Sequence, residues 1–317
     1  MYCAQDREFA EELLADYTKS TGIEVDPKYD TEADKSVSLY EELVREKDRP
    51  RCDVHWNNEI LATIRLQRLG LLEPYESPAG KPYPNWTKAT DHTWQAFAAR
   101  ARVLLVNTKM VPEGDRPRSI LDLTDARWKG KVAMAKPQFG TTATQTACLY
   151  EVLGPDVAEK FYRDLAANDV RIVPGNKQAA EAVSNGDAAI GMTDTDDAMG
   201  EVESGRPVTL VFPDREQNKR LPRLGTLFLP NTLALIKGSP NADGGRHLID
   251  YLLSEDSEAR LAKSASHQIP LNPNVKPELP AQVLSPRDAY PMDVDFAKAA
   301  DLWEKSQLAM TKIFARD

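Results

Sequence analysis

Residues 2–29 read YCAQDREFAEELLADYTKSTGIEVDPKY, and this stretch holds one complete β–α–β alternation. Tyr2–Gln5 is strand-like. Asp6 then stands at a helix N-cap, and Phe9, Leu13, Leu14 and Tyr17 recur at helical spacing. Gly22 follows the last turn, where many helices end on a left-handed residue. Ile23–Tyr29 alternates as a strand. The pattern then repeats, with a helix over Asp34–Glu46 that sets Val37, Tyr40, Leu43 and Val44 on one face. A strand over Arg51–Trp56 and a helix over Glu59–Leu69, stopped by Gly70, come next. Strands and helices alternating at this spacing predict an α/β fold, with ligands at the carboxyl ends of the strands.

Working outward, Glu73–Lys88 is proline-rich and reads as a loop, and Trp94–Asn107 gives a long strand pattern. A second α/β set follows: strand Lys131–Ala135, helices from Thr142 to Leu153 and over Asp156–Asn168, strand Val170–Val173, helix Lys177–Ser184 and strand Ala188–Met192. Thr226–Ile236 is another long apolar stretch, and the tail is helical from Phe296 to Phe314. Two extended segments that bracket a complete α/β unit predict two lobes, with residues 94–106 and 224–236 as crossing strands. Lobe one is expected over 1–100 with 232–275, and lobe two over 101–231 with 276–317.

Composition narrows the function classes. The net charge is −9 and no basic stripe is present, which argues against a nucleic-acid partner. No apolar run approaches the roughly 18–20 residues of a membrane-spanning helix. Cys3, Cys52 and Cys148 lack metal-ligand spacing and read as buried small apolar residues, with a Cys3–Cys52 disulfide as the alternative. His55, His92, His247 and His267 also lack such spacing, and His55 falls inside a strand as a packed residue. There is no GxSxG, HExxH or P-loop motif. An enzyme using Asp194 and Asp196 as an acid–base pair is the alternative of another class, but no nucleophile accompanies them, so no enzymatic role is expected. The chain opens directly on a strand, so a signal or anchor segment is expected ahead of it.

Several short segments, in order over nearly the whole chain, carry a family likeness. They are Tyr2-Cys3-Ala4-Gln5-Asp6, Ser20-Thr21-Gly22-Ile23-Glu24-Val25, Cys52-Asp53-Val54 with Asn57-Asn58-Glu59, and Gly70-Leu71-Leu72-Glu73-Pro74. Ala101-Arg102-Val103, Trp128-Lys129-Gly130-Lys131-Val132, the run from Ala180 to Asp187 and Ile269-Pro270-Leu271-Asn272-Pro273 complete the set. In these the chain resembles the periplasmic ferric-ion-binding proteins of ABC importers and the wider group of extracellular solute-binding proteins. The resemblance implies a two-lobed periplasmic-binding-protein-like fold whose cleft closes on a ligand by hinge bending. It also implies a monomer in the periplasm or outside the cell, an ABC permease and an ATPase as partners, and no resident cofactor.

In the iron-binding relatives a histidine, a glutamate and two adjacent tyrosines hold the metal, and a small anion completes the shell. Here Asp6 takes the histidine's place, and the glutamate's falls on Asn58 or Glu59, next to Asn57. The tyrosines' loop reads Thr193-Asp194-Thr195-Asp196-Asp197, with no tyrosine. The anion positions match better. Phe139-Gly140-Thr141-Thr142 precedes a helix, so its N–H groups and hydroxyls suit an oxyanion, and Asn176 and Arg102 match the relatives' anion-contacting asparagine and arginine. The candidate metal ligands are therefore Asp6, Asp194 and Asp196, next to an anion cradle of Arg102, Thr141, Thr142 and Asn176.

Two ligand types satisfy such a site: a hard cation such as Fe3+ with phosphate or carbonate as cargo, or a phosphonate or phosphorylated organic solute. The plainer reading makes Asp6, Thr141, Thr142 and the Thr193–Asp197 loop helix caps. Asp30-Thr31-Glu32 is a weaker candidate turn. Replacing Asp194 and Asp196 together by alanine is expected to abolish ligand binding while leaving the melting temperature of the empty protein nearly unchanged.

Overall fold

The computed structural model describes residues 1–30 and 38–315. Thr31 and Glu32 of the weaker candidate turn, and Asp34 and Val37 of the expected second helix, lie outside the described residues. The chain divides into two compact units, Met1–Ala99 with Pro230–Leu279, and Arg100–Leu229 with Pro280–Asp317.

In the first unit, β1 (Tyr2–Cys3) is parallel to both β2 (Lys28–Tyr29) and β3 (Val54–Asn57). Residues of β10 (Phe228–Ile236) run antiparallel to β3 and to the short β4 (Leu72–Glu73). Helix α1 (Arg7–Thr21) buries Leu13, Leu14 and Tyr17 of the predicted stripe, with Ala10 in place of the partly buried Phe9, and ends on Gly22 at φ 71°. Helices α2 (Ser38–Arg45) and α3 (Ile60–Arg68) follow their strands. Tyr2, Leu39, Leu43, Cys52, Leu66 and Ile236 share one buried cluster. The strand expected over Ile23–Tyr29 pairs only at its last two residues. Cys3 and Cys52 are buried and not joined by the alternative disulfide, and burial pushes the Cys52 thiol up to about 12.

Two further helices, α8 (Ala242–Leu252) and α9 (Glu255–Lys263), cover this unit. From α9, buried Glu258 accepts the backbone N–H groups of Ala98, Leu271 and Asn272 at 2.7–2.9 Å. That carboxylate fastens the segment after α9 against the start of β5 (Gln95–Asn107), where Ala99 and Ile269 also exchange backbone bonds.

In the second unit, β5 is antiparallel to β8 (Ile190–Asp194) and to β9 (Val208–Val211). β6 (Val132–Ala135) is parallel to β8 and to β7 (Arg171–Val173). Helix α4 (Gly140–Leu153) is buried from Thr141 through Tyr150 and packs against α5 (Pro155–Ala167), α10 (Phe296–Asp301) and α11 (Trp303–Ile313). The tail is therefore two helices rather than one, divided at Leu302. α6 (Asn176–Ser184) and α7 (Thr195–Glu203) open directly after β7 and β8. Gly225 admits no side chain, because a Cβ there would lie 2.6 Å from backbone atoms of Tyr290 and Pro291. This close approach lets Thr226 exchange backbone bonds with Tyr290 and Met292.

Candidate functional site

Strand β5 carries Arg100 and Arg102 two residues apart, hence on one face, and both are at most 2% exposed. A guanidinium buried to that degree persists only where it is paired. The β5–β8 register sets Arg102 opposite Asp194, and Arg102 Nη1 donates to Asp194 Oδ1 at 2.7 Å. The same guanidinium reaches Thr141 Oγ1 at 3.2 Å, Asn176 Oδ1 at 3.0 Å, Thr142 Oγ1 at 3.2 Å and Gln145 Oε1 at 3.0 Å.

The other oxygen of Asp194, Oδ2, accepts from Thr141 Oγ1 at 2.5 Å and from Asn176 Nδ2 at 3.0 Å. Thr141 lies in the first turn of α4 and Asn176 opens α6, so two positive helix ends flank this carboxylate. The sequence-predicted cradle residues Arg102, Thr141, Thr142 and Asn176 do converge. They converge on a protein carboxylate, which corrects the expectation of an open anion pocket.

The Thr193–Asp197 segment is not a loop. Thr193 and Asp194 end β8, and Thr195, Asp196 and Asp197 begin α7, with all but Asp197 buried. Thr193 Oγ1 donates to the Asn176 carbonyl at 3.0 Å, and Thr195 Oγ1 accepts the Ala101 N–H at 3.2 Å. These threonines therefore fasten β8 and α7 to their neighbours. Asp196 Oδ2 lies 3.4 Å from Arg100 Nη1, a longer and weaker pairing than that of Asp194. One oxygen from each of Asp194, Asp196 and Asp197 falls within 4.8 Å of the others. Asp194 and Asp196 are thus buried counter-ions as well as candidate ligands, so their removal is expected to cost the empty protein stability rather than leave it unchanged.

The first-unit candidates behave differently. Glu59 is the N-cap of α3. Its Oε2 accepts from Leu61 N at 2.6 Å, and its Oε1 accepts from Ala62 N at 2.8 Å and Asn57 Nδ2 at 3.2 Å. These bonds give Glu59 a capping role in α3, which accounts for its burial without a ligand. Asn57 is buried and also donates to Thr63 Oγ1 at 3.3 Å, while its Oδ1 has no hydrogen-bond partner. Asn58 is likewise buried. Asp6 is partly exposed at the start of α1, where its carbonyl accepts the N–H groups of Phe9 and Ala10 and its side chain makes no capping bond to the helix. His55, on β3, is 1% exposed with no hydrogen-bond partner on either ring nitrogen, and desolvation pulls its pKa down to about 4.

Sequence reasoning left out Arg100, Gln145 and Asp197. The signal for Arg100 lay in Ala99-Arg100-Ala101-Arg102, two arginines at strand period within an apolar run. Such a pattern calls for two buried counter-ions.

Comparison with known proteins gives a family. The profile of the bacterial extracellular solute-binding proteins matches residues 63–298. The major ferric iron-binding protein of Neisseria meningitidis is 26% identical over 283 residues, 87% of this chain and 81% of that protein. A putative 2-aminoethylphosphonate-binding periplasmic protein of Salmonella typhimurium is 24% identical over 268 residues, 82% of this chain and 73% of that protein. The crystal structure of iron-bound HitA from Pseudomonas aeruginosa superposes with a TM-score of 0.87 at 21% identity, covering 99% of this chain and 98% of that one. That likeness establishes the α/β, two-lobed periplasmic-binding-protein-like fold. With the profile spanning most of its length, the chain belongs to the bacterial extracellular solute-binding protein family.

Proposed function

We propose that this protein is the solute-capturing component of an ABC importer, held outside the cytoplasmic membrane and read by a permease and its ATPase. Its cargo is a hard cation, Fe3+ foremost. The observation that carries this reading is the carboxylate group of Asp194, Asp196 and Asp197 at the β8–α7 junction, its oxygens within 4.8 Å of one another. Oxygen donors of this kind suit hard ions. The Neisseria relative, named for ferric iron, and the iron-bound Pseudomonas structure support the same choice. A phosphonate has the Salmonella relative on its side, but the oxyanion donors of the second unit are already engaged by Asp194. Among the described residues the side chains bonded to Asp194 belong to arginine, threonine and asparagine. Thr141 brings its hydroxyl to that carboxylate as a hydrogen-bond donor, and we read the site as one that captures its solute without turning it over.

The test is a thermal melt of ligand-stripped protein with ferric citrate, against citrate alone. Ligand that binds only the folded state raises Tm by mass action. A saturable rise with ferric citrate and none with citrate supports the reading. The absence of any shift with iron removes Fe3+ as the cargo and turns attention to 2-aminoethylphosphonate.

A further inference from the structure

We infer that Asp194 is a resident anion: its carboxylate fills the oxyanion cradle of the second unit, so that the protein takes its solute without a free accompanying anion. The inference deepens the cation reading above and rests on it only for the identity of the solute. The cradle is built for an oxyanion. It offers one guanidinium, a threonine hydroxyl and a side-chain amide, the last two from the first turns of α4 and α6.

A simple counter-ion for Arg102 would need contacts to the guanidinium alone. Asp194 instead spends one oxygen on Arg102 and turns the other to Thr141 and Asn176, as a bound phosphate or carbonate oxygen would. Its supply is also fixed by the fold. Asp194 is the last residue of β8, held in register opposite Arg102, and it is 2% exposed. A covalently supplied anion loses no translational freedom on binding, so it outcompetes a dilute free one. The cation then meets a cradle whose anion is already in place.

The experiment uses the ligand-stripped full chain and two probes, inorganic phosphate and formate, at low millimolar concentrations. Wild type is expected to show no saturable Tm rise with either. Asp194→Ala removes the resident carboxylate and opens its space, so phosphate or formate restores Tm saturably. Wild type, with no saturable rise, gives no midpoint in the same concentration range. Asp194→Asn keeps the volume filled and is expected to respond as weakly as wild type, which separates cradle occupancy from general salt effects.

A folded Asp194→Ala protein that ignores both anions overturns the inference, as does a wild type stabilised saturably by phosphate alone. Should Asp194→Ala fail to fold, the wild-type ferric titration decides: equal iron binding with and without phosphate or carbonate supports the resident anion, and an absolute need for either refutes it. Anion rescue of Asp194→Ala in a protein that never binds iron upholds this inference and sinks the ferric reading. Iron binding that demands a free anion does the reverse.

Discussion

Replacing Asp194 by alanine strands a cation. Arg102 is 1% exposed, and Asp194 supplies its one charged partner among the contacts made by that guanidinium. Breaking a buried ion pair from one side costs about 3–5 kcal/mol, because the remaining charge keeps its desolvation penalty without its attraction. Thr141 and Asn176 also lose the acceptor they share. In a domain of this size the loss corresponds to a fall in Tm of roughly 6–20 °C.

Removing the cation as well, in an Arg102→Met/Asp194→Ala double variant, takes away the uncompensated charge. The double variant should then be more stable than the sum of the single losses predicts by at least about 2 kcal/mol. The assay is a double-mutant cycle on ligand-free protein in urea, with midpoints and slopes compared across the four forms. Two results refute the reasoning: a single Asp194→Ala loss under about 1 kcal/mol, or strict additivity in the double variant. Either would mean that the guanidinium reaches solvent or finds another carboxylate.

The remaining expectations concern the first unit. The pKa of His55 lies near 4 against an ordinary 6.5, so the folded state resists the proton that the unfolded chain accepts. Stability is therefore full above about pH 6.5 and falls as pH drops toward 4, by about 3 kcal/mol in all. Urea midpoints of His55→Leu against wild type should show that slope flattened, and an unchanged slope would assign the acid sensitivity elsewhere. Glu59→Ala removes both acceptors at the start of α3 and should cost about 1–2 kcal/mol in thermal melts. The same substitution should leave ferric affinity per folded molecule unaltered, and a selective loss of affinity would return Glu59 to the ligand set.

Much of the fold was legible because its signals are local. The buried Leu13, Leu14 and Tyr17 of α1 follow from one period, and Gly22 marks its end by a single backbone requirement. Elements escaped where tertiary contacts override local pattern. α8 reads ADGGRHLIDYL, and two glycines in succession argue against a helix by propensity. The structure shows what Gly245 gains: a Cβ there would meet Leu235 at 2.7 Å and Val54 at 3.2 Å, so the helix lies close against β3 and β10 only without one. At β2 the failure ran the other way. The alternation of Ile23–Tyr29 is real, but only Lys28 and Tyr29 find partners on β1.

The site was legible as a list of residues and illegible as a balance of charge. The helix openings at Thr141 and Asn176 and the arginine on β5 announce oxyanion donors, and the aspartates after β8 announce cation ligands. Read separately, they make two half-sites for two different ligands. What joins them is the register of two antiparallel strands, which puts Arg102 across from Asp194 although 92 residues separate them. Register is a long-range property, and shifting it by one residue would turn the carboxylate to the other face. Once it is fixed, the donors satisfy the acceptor within the same unit. Asp196 and Asp197 stand beside it at the opening of α7. Asp196 is held by the longer 3.4 Å pairing to Arg100, and Asp197 is the least buried of the three carboxylates. The selectivity of such a site therefore rests less on how many acidic residues it contains than on which of them the sheet has already neutralised.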